Sequence, residues 1–255
     1  MAVGIRTPGQ FCWINMLTPR PAEARDFFSK LLGWTYVELP GVGHLIQVGG
    51  RDIGGLFDLE SPPTPPGTRP YIGVMVKVDN ADATSARVAS LGGNAKPAFD
   101  IMDNLRMAVC FDPNGAEFDI WESKKGHGTE VDDRLPGAPS WFETMTTDAE
   151  RAAKFYSGLF GWKHEKVPNS AVDYSVFKRG DMPIAGMLQI TPAMGQMPAQ
   201  WLTYFTVNDA EAAALEAVKL GGKICMTMKE AHGVCRFCSM TSPQGVMFYV
   251  VEYTR

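Results

Sequence analysis

The chain of 255 residues contains the same sequence twice, which restricts the folds open to it. The segment WINMLTPRPAEARDFFSKLLGW begins at Trp13, and WFETMTTDAERAAKFYSGLFGW begins at Trp141, an offset of 128 residues. The segment DPNG at 112–115 returns as SPQG at 242–245. A repeat of this length is a duplicated domain, because solenoid units are several times shorter. Positions where the two copies differ therefore allow an internal comparison that bears on function.

Composition restricts the partners of these two domains. Each copy is long enough to bury a core of its own. The hydrophobic content of 45% and the charged content of 20% are typical of a soluble globular protein. A formal net charge of -4 without any run of Lys or Arg argues against nucleic acid and against an anionic membrane as partners. No stretch approaches the ~20 apolar residues that a membrane-spanning helix needs.

The cysteines and the first residues predict a cytoplasmic protein. MAVGIRTPGQ lacks the charged and then apolar pattern of a signal peptide. The five cysteines form no evenly spaced disulfide framework, which favours a reducing compartment. Cys235 and Cys238 have the spacing of redox or zinc motifs, but they lie in a strand-like stretch. Their side chains are then expected on opposite faces, which suits neither a disulfide nor shared chelation.

The first half is predicted to contain two units of the order βαβββ. In the first unit, Ala24, Phe27 and Leu31 recur at the spacing of one helix face. Pro21 suits the first turn of this helix, and Gly33 suits its C-terminal end. The predicted elements of the first unit are strands 11–17, 35–39, 44–48 and 53–59 and helix 21–32. Those of the second unit are strands 71–78, 95–99, 106–111 and 117–122 and helix 81–91.

The second half repeats this order, and its first helix is expected to begin with a capping box over 147–150. The proline-containing segments 61–70 and 191–198 are expected to connect the units within each half. The chain is therefore an α+β protein of four βαβββ modules paired into two tandem domains. We place the domains at 8–124 and 139–255, with a polar linker at 125–138. Aromatic residues on the helix faces are assigned to the core: Phe27, Phe28, Phe155 and Tyr156.

These motifs together resemble the vicinal-oxygen-chelate superfamily of glyoxalase I, bleomycin-resistance proteins and extradiol dioxygenases. The resemblance rests on FFSKLLGW and FYSGLFGW after the first strands, on VDNADAT and VNDAEAA before LGG, and on DPNGAEFDIWE and SPQGVMFYVVE at the ends of the halves. It covers nearly the whole chain and is most similar to the two-domain glyoxalase-like branch. It implies that each pair of modules curls its mixed sheet into a cup. It does not imply one activity, because the family includes lyases, epimerases, dioxygenases and pure binding proteins.

The resemblance also implies where a divalent metal would be held, by side chains on the first and last strands of the units. These positions fall on Trp13, Gly55 or a neighbour, Gly73 and Asp119 in the first half, and on Trp141, about Gly186, about Leu202 and Tyr249 in the second. Only Asp119 offers ordinary metal-ligand chemistry. None of His44, His127, His164 and His232 falls on a first or last strand. We therefore expect no metal and no other cofactor, and the extradiol-dioxygenase reaction is not supported.

Strand alternation predicts which side chains face the cups instead. The inward residues form an aromatic and thioether-rich lining: Trp13, Asn15, Met75, Asp119 and Trp121 in the first half, and Trp141, Glu143, Met145, Tyr204 and Tyr249 in the second. Met102, Met226 and Met228 are expected at the mouths, with His232 in a loop that gates the second cup. This composition suits a flat, apolar ligand. The alternative is that the two tryptophans fill the cups.

Two carboxyl groups are candidates for acid/base chemistry. Glu143 is inward-facing and has Asn15 as its counterpart, so burial is expected to raise its pKa. Asp119 is the candidate in the first half. Arg106 and Arg236 occupy equivalent places, and each either pairs with the nearby carboxylate or binds an anionic substrate group.

Three functions remain open from the sequence. The first is a protein that binds a small apolar or aromatic molecule without chemistry. The second is a metal-independent isomerase, lyase or cyclase that uses Glu143, with Asp119 in the same role. The third is a metal-dependent glyoxalase-type lyase. The duplication predicts either a monomer with pseudo-dimeric halves or a homodimer.

Overall fold

A computed structural model describes residues 6–61, 64–65, 67–101, 105–123, 131–168, 170, 172–231 and 233–254. Met102, His127, His232 and the first part of the expected linker lie outside the described residues. None of the helices in the described ranges has the length and apolar character needed to cross a membrane.

The first half follows the predicted βαβββ order twice, with one added break. Its elements are β1 Phe11–Thr18, α1 Pro21–Leu32, β2 Thr35–Leu39, β3 Gly43–Val48, β4 Arg51–Asp58, β5 Tyr71–Val78, α2 Ala81–Ser90, β6 Asn94–Ala95, β7 Phe99–Ile101, β8 Leu105–Phe111 and β9 Glu117–Ser123. The single strand expected at 95–99 is replaced by β6 and β7, which pair separately with β8.

The second half has the same arrangement of strands and helices. Its elements are β10 Pro139–Thr146, α3 Ala149–Phe160, β11 Lys163–Lys166, β12 Tyr174–Arg179, β13 Met182–Gln189, β14 Gln200–Thr206, α4 Ala210–Lys219, β15 Lys223–Ala231, β16 Cys235–Thr241 and β17 Met247–Tyr253. A single 3-10 turn, Pro192–Met194, lies in the expected connector. The N-cap of α3 is Asp148, which accepts a hydrogen bond from the backbone of Arg151, and it takes the place of the capping box expected from Thr147.

Each half forms one mixed sheet that curls into a half-barrel. The strand order of the first sheet is β2-β3-β4-β1-β5-β9-β8-β6, and that of the second is β11-β12-β13-β10-β14-β17-β16-β15. The first strands of the two units pair with each other in antiparallel fashion at the centre, and β9 and β17 run parallel beside β5 and β14. This order brings the first and last strands of both units together, and the predicted α+β fold of tandem βαβββ modules is confirmed.

The two halves share one hydrophobic core, in place of the two separate cores that composition suggested. Helix α1 packs against α4 and α2 against α3, so the helices of each half are covered by the other half. Phe28 contacts Phe248 with ring centroids 5.1 Å apart, and the equivalent pair, Tyr156 and Phe118, is 5.6 Å apart. The aromatic residues assigned to the helix faces are all buried in this core.

Two exchanged hydrogen bonds fix the halves to each other at equivalent positions. The indole nitrogen of Trp34 donates to the Gly137 carbonyl at 2.8 Å, and that of Trp162 donates to the Gly9 carbonyl at 2.9 Å. Gly137 has a φ of 88°, and a Cβ there would lie 2.3 Å from the carbonyl oxygen of Leu32. Glycine is therefore required where this segment meets the opposite half. The last part of the expected linker is thus packed into the interface.

We expect Trp34→Phe and Trp162→Phe each to lower the free energy of unfolding by about 2–4 kcal/mol, because each removes a buried indole donor and part of the shared core. Trp13→Phe is the matched control, since its ring lies outside this core, and it should cost about 1 kcal/mol or less. Urea unfolding measures all three. Equal losses in the three variants would contradict the role given to the exchanged bonds.

Candidate functional site

The concave face of each sheet carries a row of large side chains across its central strands. In the first half, Trp13 lies opposite Met75, which lies beside Asp119. We call the residues around this row (Trp13, Asn15, Met75, Met107, Asp119 and Trp121) the first cup. In the second half, Trp141, Tyr204 and Tyr249 occupy the equivalent row. We call Trp141, Glu143, Met145, Tyr174, Tyr204, Phe237 and Tyr249 the second cup.

The first cup contains two stacked tryptophans and a buried carboxyl group. The rings of Trp13 and Trp121 are stacked with centroids 5.3 Å apart. Asp119 is 7% exposed, and its Oδ1 has no hydrogen-bond partner among the residues that the structure describes. Burial raises the pKa of Asp119 well above its usual value, the charge of Glu117 raises it further, and Lys96 partly opposes the shift. This carboxyl group is therefore poorly suited to carry a charge in the fold shown.

One buried polar side chain of the first cup was missed by sequence reasoning. Lys77 is mostly buried and lies opposite Trp121 in the strand register. Lys77 follows Met75 by two residues in β5, so strand alternation places both side chains on the inward face. A lysine in an otherwise apolar strand is the signal that could have found it.

The second cup holds a carboxyl group with two phenol donors. Glu143 is 7% exposed, and the Tyr204 hydroxyl donates to its Oε1 at 3.1 Å. Tyr174 hydrogen-bonds to the same carboxyl group and accepts a bond from the Trp141 indole at 3.3 Å. Burial raises the pKa of Glu143, and the bonds from Tyr174 and Tyr204 oppose that rise. The carboxyl group of Glu143 therefore has more hydrogen bonds to stabilise it than that of Asp119, whether it is protonated or charged.

A glycine makes room for the phenol that sequence reasoning missed. Gly186 lies beside Glu143 in the parallel pairing of β10 and β13, and a Cβ there would be 2.0 Å from the Tyr174 hydroxyl oxygen. In the first half, a Cβ on Gly55 would be 2.5 Å from the Phe57 ring. At these two of the eight positions where the resemblance implies a metal ligand, the chain thus has a glycine covered by an aromatic ring.

The walls of the second cup are aromatic and thioether-rich. The rings of Tyr204 and Tyr249 are 4.4 Å apart, and Phe237 lies 5.8 Å from Tyr204. Met145 is buried in the same cluster. Several partly buried apolar residues pack against the cluster from the rim: Leu188, Ile190, Met194, Met197, Met226 and Met247. Met228 does not join them, because it packs against the shared core.

The two arginines proposed for ligand binding lie outside the cups. Arg106 forms ion pairs with Asp82 of α2 at 2.9 Å and with Asp100 at 3.1 Å. Arg236 forms equivalent contacts with Glu211 of α4 at 3.4 Å and with Glu252 at 3.6 Å. Both arginines therefore face the helices, and neither pairs with Asp119 or Glu143 as the sequence suggested. Acidic residues in the first turns of α2 and α4 provide the competing partners.

The two spaced cysteines are separated as expected for a strand. Cys235 packs against the second cup, whereas Cys238 lies in the shared core. Both thiols are free.

The donor groups of neither cup fit a divalent metal ion. Within the described residues, no three His, Cys, Asp or Glu side chains are placed to share an ion. The second cup offers one carboxyl group and phenols. Burial and the charge of Glu143 raise the pKa values of Tyr174 and Tyr204 well above the usual value, so these phenols keep their protons. Metal ions are held by deprotonated or neutral-donor ligands in sets of three or four, and this set does not supply them.

Comparisons with known proteins establish the family. A model of the Glyoxalase/Bleomycin resistance protein/Dioxygenase superfamily matches residues 10–120, and a model of the glyoxalase-like domain matches residues 141–251. A putative glyoxylase of Mycobacterium tuberculosis, CFP32, is 30% identical over 94% of this chain and 93% of its own length. The anthracycline biosynthesis protein DnrV of Streptomyces peucetius is 30% identical over 96% of this chain and 94% of its own. The chain belongs to the glyoxalase, bleomycin-resistance and dioxygenase superfamily, as a tandem of two such domains.

Solved structures agree with this fold. The Mn(II)-bound glyoxalase from Novosphingobium aromaticivorans aligns with a TM-score of 0.69 at 14% identity, covering 96% of this chain and 82% of that one. The 2,3-dioxygenase LapB from Pseudomonas sp. KL28 aligns with a TM-score of 0.66 at 9% identity, covering 99% and 96%. At these identities the likeness concerns the fold alone.

The raised pKa of Glu143 predicts how its replacement changes the response to pH. The folded protein holds this proton at pH values where the unfolded chain has released it, so this group's contribution to stability falls as pH rises above the usual glutamate pKa. We expect Glu143→Gln to gain stability relative to the parent protein as pH rises above the usual glutamate pKa. Asp119 is present in both proteins, so the difference isolates Glu143.

Urea unfolding at several pH values measures this difference, and Tyr204→Phe tests its cause. Loss of the Tyr204 hydroxyl removes a donor to the carboxylate, so the pKa of Glu143 should rise further and the decline should extend to higher pH. Parallel pH profiles for the parent protein and Glu143→Gln would show that Glu143 titrates normally.

Proposed function

We propose that this protein binds a small, flat, apolar or aromatic molecule in the second cup without the help of a metal ion. The observation that carries this proposal is the cluster of aromatic and thioether side chains around one buried carboxyl group. Aromatic walls offer stacking to a flat ligand, and methionines adapt to its outline. A single polar centre then orients the ligand, as in many small-molecule pockets.

Glu143 is the proposed polar centre. Because its pKa is raised, its carboxyl group keeps a proton to higher pH than an exposed glutamate does. A protonated carboxyl group donates a hydrogen bond to a carbonyl or phenolic oxygen on the ligand. Tyr204 and Tyr174 hold the group in place. The ligand class is therefore a flat aromatic molecule with an oxygen substituent on its rim.

The names of two relatives support this ligand class. DnrV and DauV, from Streptomyces peucetius and Streptomyces sp. strain C5, are named as anthracycline biosynthesis proteins, and both align over 96% of this chain. An anthracycline is a flat polycyclic molecule with ring oxygens, and its chemistry matches the second cup. The unsuitability of the donor groups for a divalent ion supports the metal-free part of the proposal.

A second candidate function is a metal-independent isomerase, lyase or cyclase that uses Glu143 to move a proton. The observation that favours it is the asymmetry of the duplication, because Asn15 stands where the second half has Glu143. A buried carboxyl group in contact with two phenols can accept a proton from the ligand and return it. Asp119 is the weaker candidate, because its Oδ1 has no donor to stabilise the carboxylate.

Binding can be tested with 1,4-dihydroxyanthraquinone as the probe. We expect it to quench tryptophan emission and to give a calorimetric dissociation constant that chelator treatment leaves unchanged. Trp141→Ala should weaken binding about tenfold or more through lost aromatic contact, and Trp13→Ala in the first cup is the matched control. Binding that needs an added divalent ion, or that Trp141→Ala leaves unchanged, would overturn the metal-free aromatic site.

The choice between binding and catalysis rests on the fate of the bound molecule. Mass spectrometry of candidate aromatic ligands after incubation measures it. An enzyme that uses Glu143 should convert a ligand in the parent protein, and Glu143→Gln should lower the rate about a hundredfold or more, the usual range for loss of an acid/base group. Recovery of unchanged ligand from a tight complex supports the binding function.

A further inference from the structure

A cavity of about 260 Å³ lies between the two domains, next to the second cup, with which it shares Leu202 and Met247. Its walls come from the first residues of β5 and β14 and from the first residues of β9 and β17. Glu143 and Trp141 do not contribute to it. The residues that determine its chemistry are Tyr71, Glu117, Gln200, Trp201, Thr203 and Met247.

The internal repeat shows that the two sides of this cavity have diverged. Tyr71 pairs with Leu17 in the first sheet as Gln200 pairs with Met145 in the second, so Tyr71 and Gln200 are equivalent. Glu117 and Met247 are equivalent because each begins the last strand of its half. The first domain therefore contributes a phenol and a carboxylate, whereas the second contributes an amide and a thioether. The side of the cavity formed by the first domain, which we call the polar end, therefore holds a carboxylate, whereas the side formed by the second domain has no charged residue among those described.

The polar end carries negative charge without a compensating cation. The Tyr71 hydroxyl donates to Glu117 Oε1 at 2.9 Å. Burial and the charge of Glu117 raise the pKa of Tyr71, so the phenol stays neutral. Among the residues described around this cavity, none is Lys, Arg or His. The site therefore favours a positively charged group.

Two side chains of β14, Thr203 and Trp201, form part of the wall on the side of the second domain. The Thr203 side chain is 3% exposed, and its hydroxyl oxygen is buried in the wall without a hydrogen-bond partner among the described residues. The adjacent Trp201 uses its indole nitrogen to bond Tyr156 at 2.8 Å, which holds this side chain in the cavity wall.

We propose that this cavity binds a small organic ammonium ion that carries one aromatic ring or an apolar group of similar size. The ammonium group pairs with Glu117, and the apolar group packs among Trp201 and Met247. A cavity of about 150 Å³ holds benzene, so one of this size takes a ring with a short chain. This site shares Met247 with the rim of the second cup but does not include Glu143 or Trp141, and it assigns a second ligand class to the same chain.

Calorimetric titration at pH 7 and low salt with 2-phenylethylamine, and with neutral 2-phenylethanol, tests the proposal. We expect the amine to bind at least about tenfold more tightly than the alcohol, since only the amine forms a charge-assisted hydrogen bond. Glu117→Gln should remove that preference while keeping an acceptor for Tyr71. Glu150→Gln, an exposed acid at the start of α3, is the control and should keep the preference.

Further variants separate the local contacts from folding and from the second cup. Thr203→Val keeps the shape of the side chain and removes only a buried hydroxyl, so it should leave the preference for the amine unchanged. If Glu117→Gln proves unstable, Tyr71→Phe is measured instead. This variant retains the Glu117 side chain and should still bind the amine. Glu117→Gln should leave 1,4-dihydroxyanthraquinone binding unchanged, so the two sites fail independently. No preference for the amine over the alcohol, or a preference that survives Glu117→Gln, would overturn the proposal.

Discussion

The burial of each half's helices by the other half is the constraint on which the rest of the structure depends. Phe28 and Tyr156 pack across the interface on Phe248 and Phe118, and the indoles of Trp34 and Trp162 bond to carbonyls of the opposite half. Apolar helix faces need such a cover, because exposed aromatic surface costs free energy in water. Each curled sheet then has its convex face in the shared core and one of the two cups on its concave face. The duplication thus divides the molecule into one structural interior and two candidate sites.

The two cups have the same strand order but differ in their polar residues. Their shared scaffold puts a tryptophan on the first strand of each half, but the neighbouring polar residue is Asn15 in one and Glu143 in the other. Two phenols bond to Glu143, whereas Asn15 Oδ1 and Asp119 Oδ1 in the first cup are buried without a donor among the described residues. Burying a carboxyl group costs free energy unless it is hydrogen-bonded or protonated. The two phenols lower that cost for Glu143, and the described residues give Asp119 Oδ1 no such donor.

The sequence predicts the order of strands and helices well, because helix periodicity and glycine turns depend on nearby residues. The repeat shows the same order twice. Inward-facing residues such as Trp13, Asp119 and Tyr204 follow from strand alternation and from the family's strand order. Tyr174 does not, because it reaches Glu143 from a different strand across the space left by Gly186. Arg106 was misassigned for a similar reason. Arg106 forms its ion pair with an acidic residue of helix α2 on the convex side of the sheet. Alternation along one strand does not show which acidic residue of a neighbouring element lies closer.

The glycines at Gly55 and Gly186 connect the fold to the loss of metal-ligand chemistry. In each half a glycine stands where the resemblance implies a donor, and an aromatic ring from its own or a neighbouring strand occupies the space of the missing side chain. Restoring a donor there would require more than one substitution, because any Cβ collides with Phe57 or with the Tyr174 hydroxyl. Each ring needs the glycine beside it, because a larger residue would occupy its space. The two together place an aromatic surface where the resemblance implies a ligand for a cation. The second cup adds a hydrogen bond from Trp141 to Tyr174, so the same replacement also orients the phenol that supports Glu143.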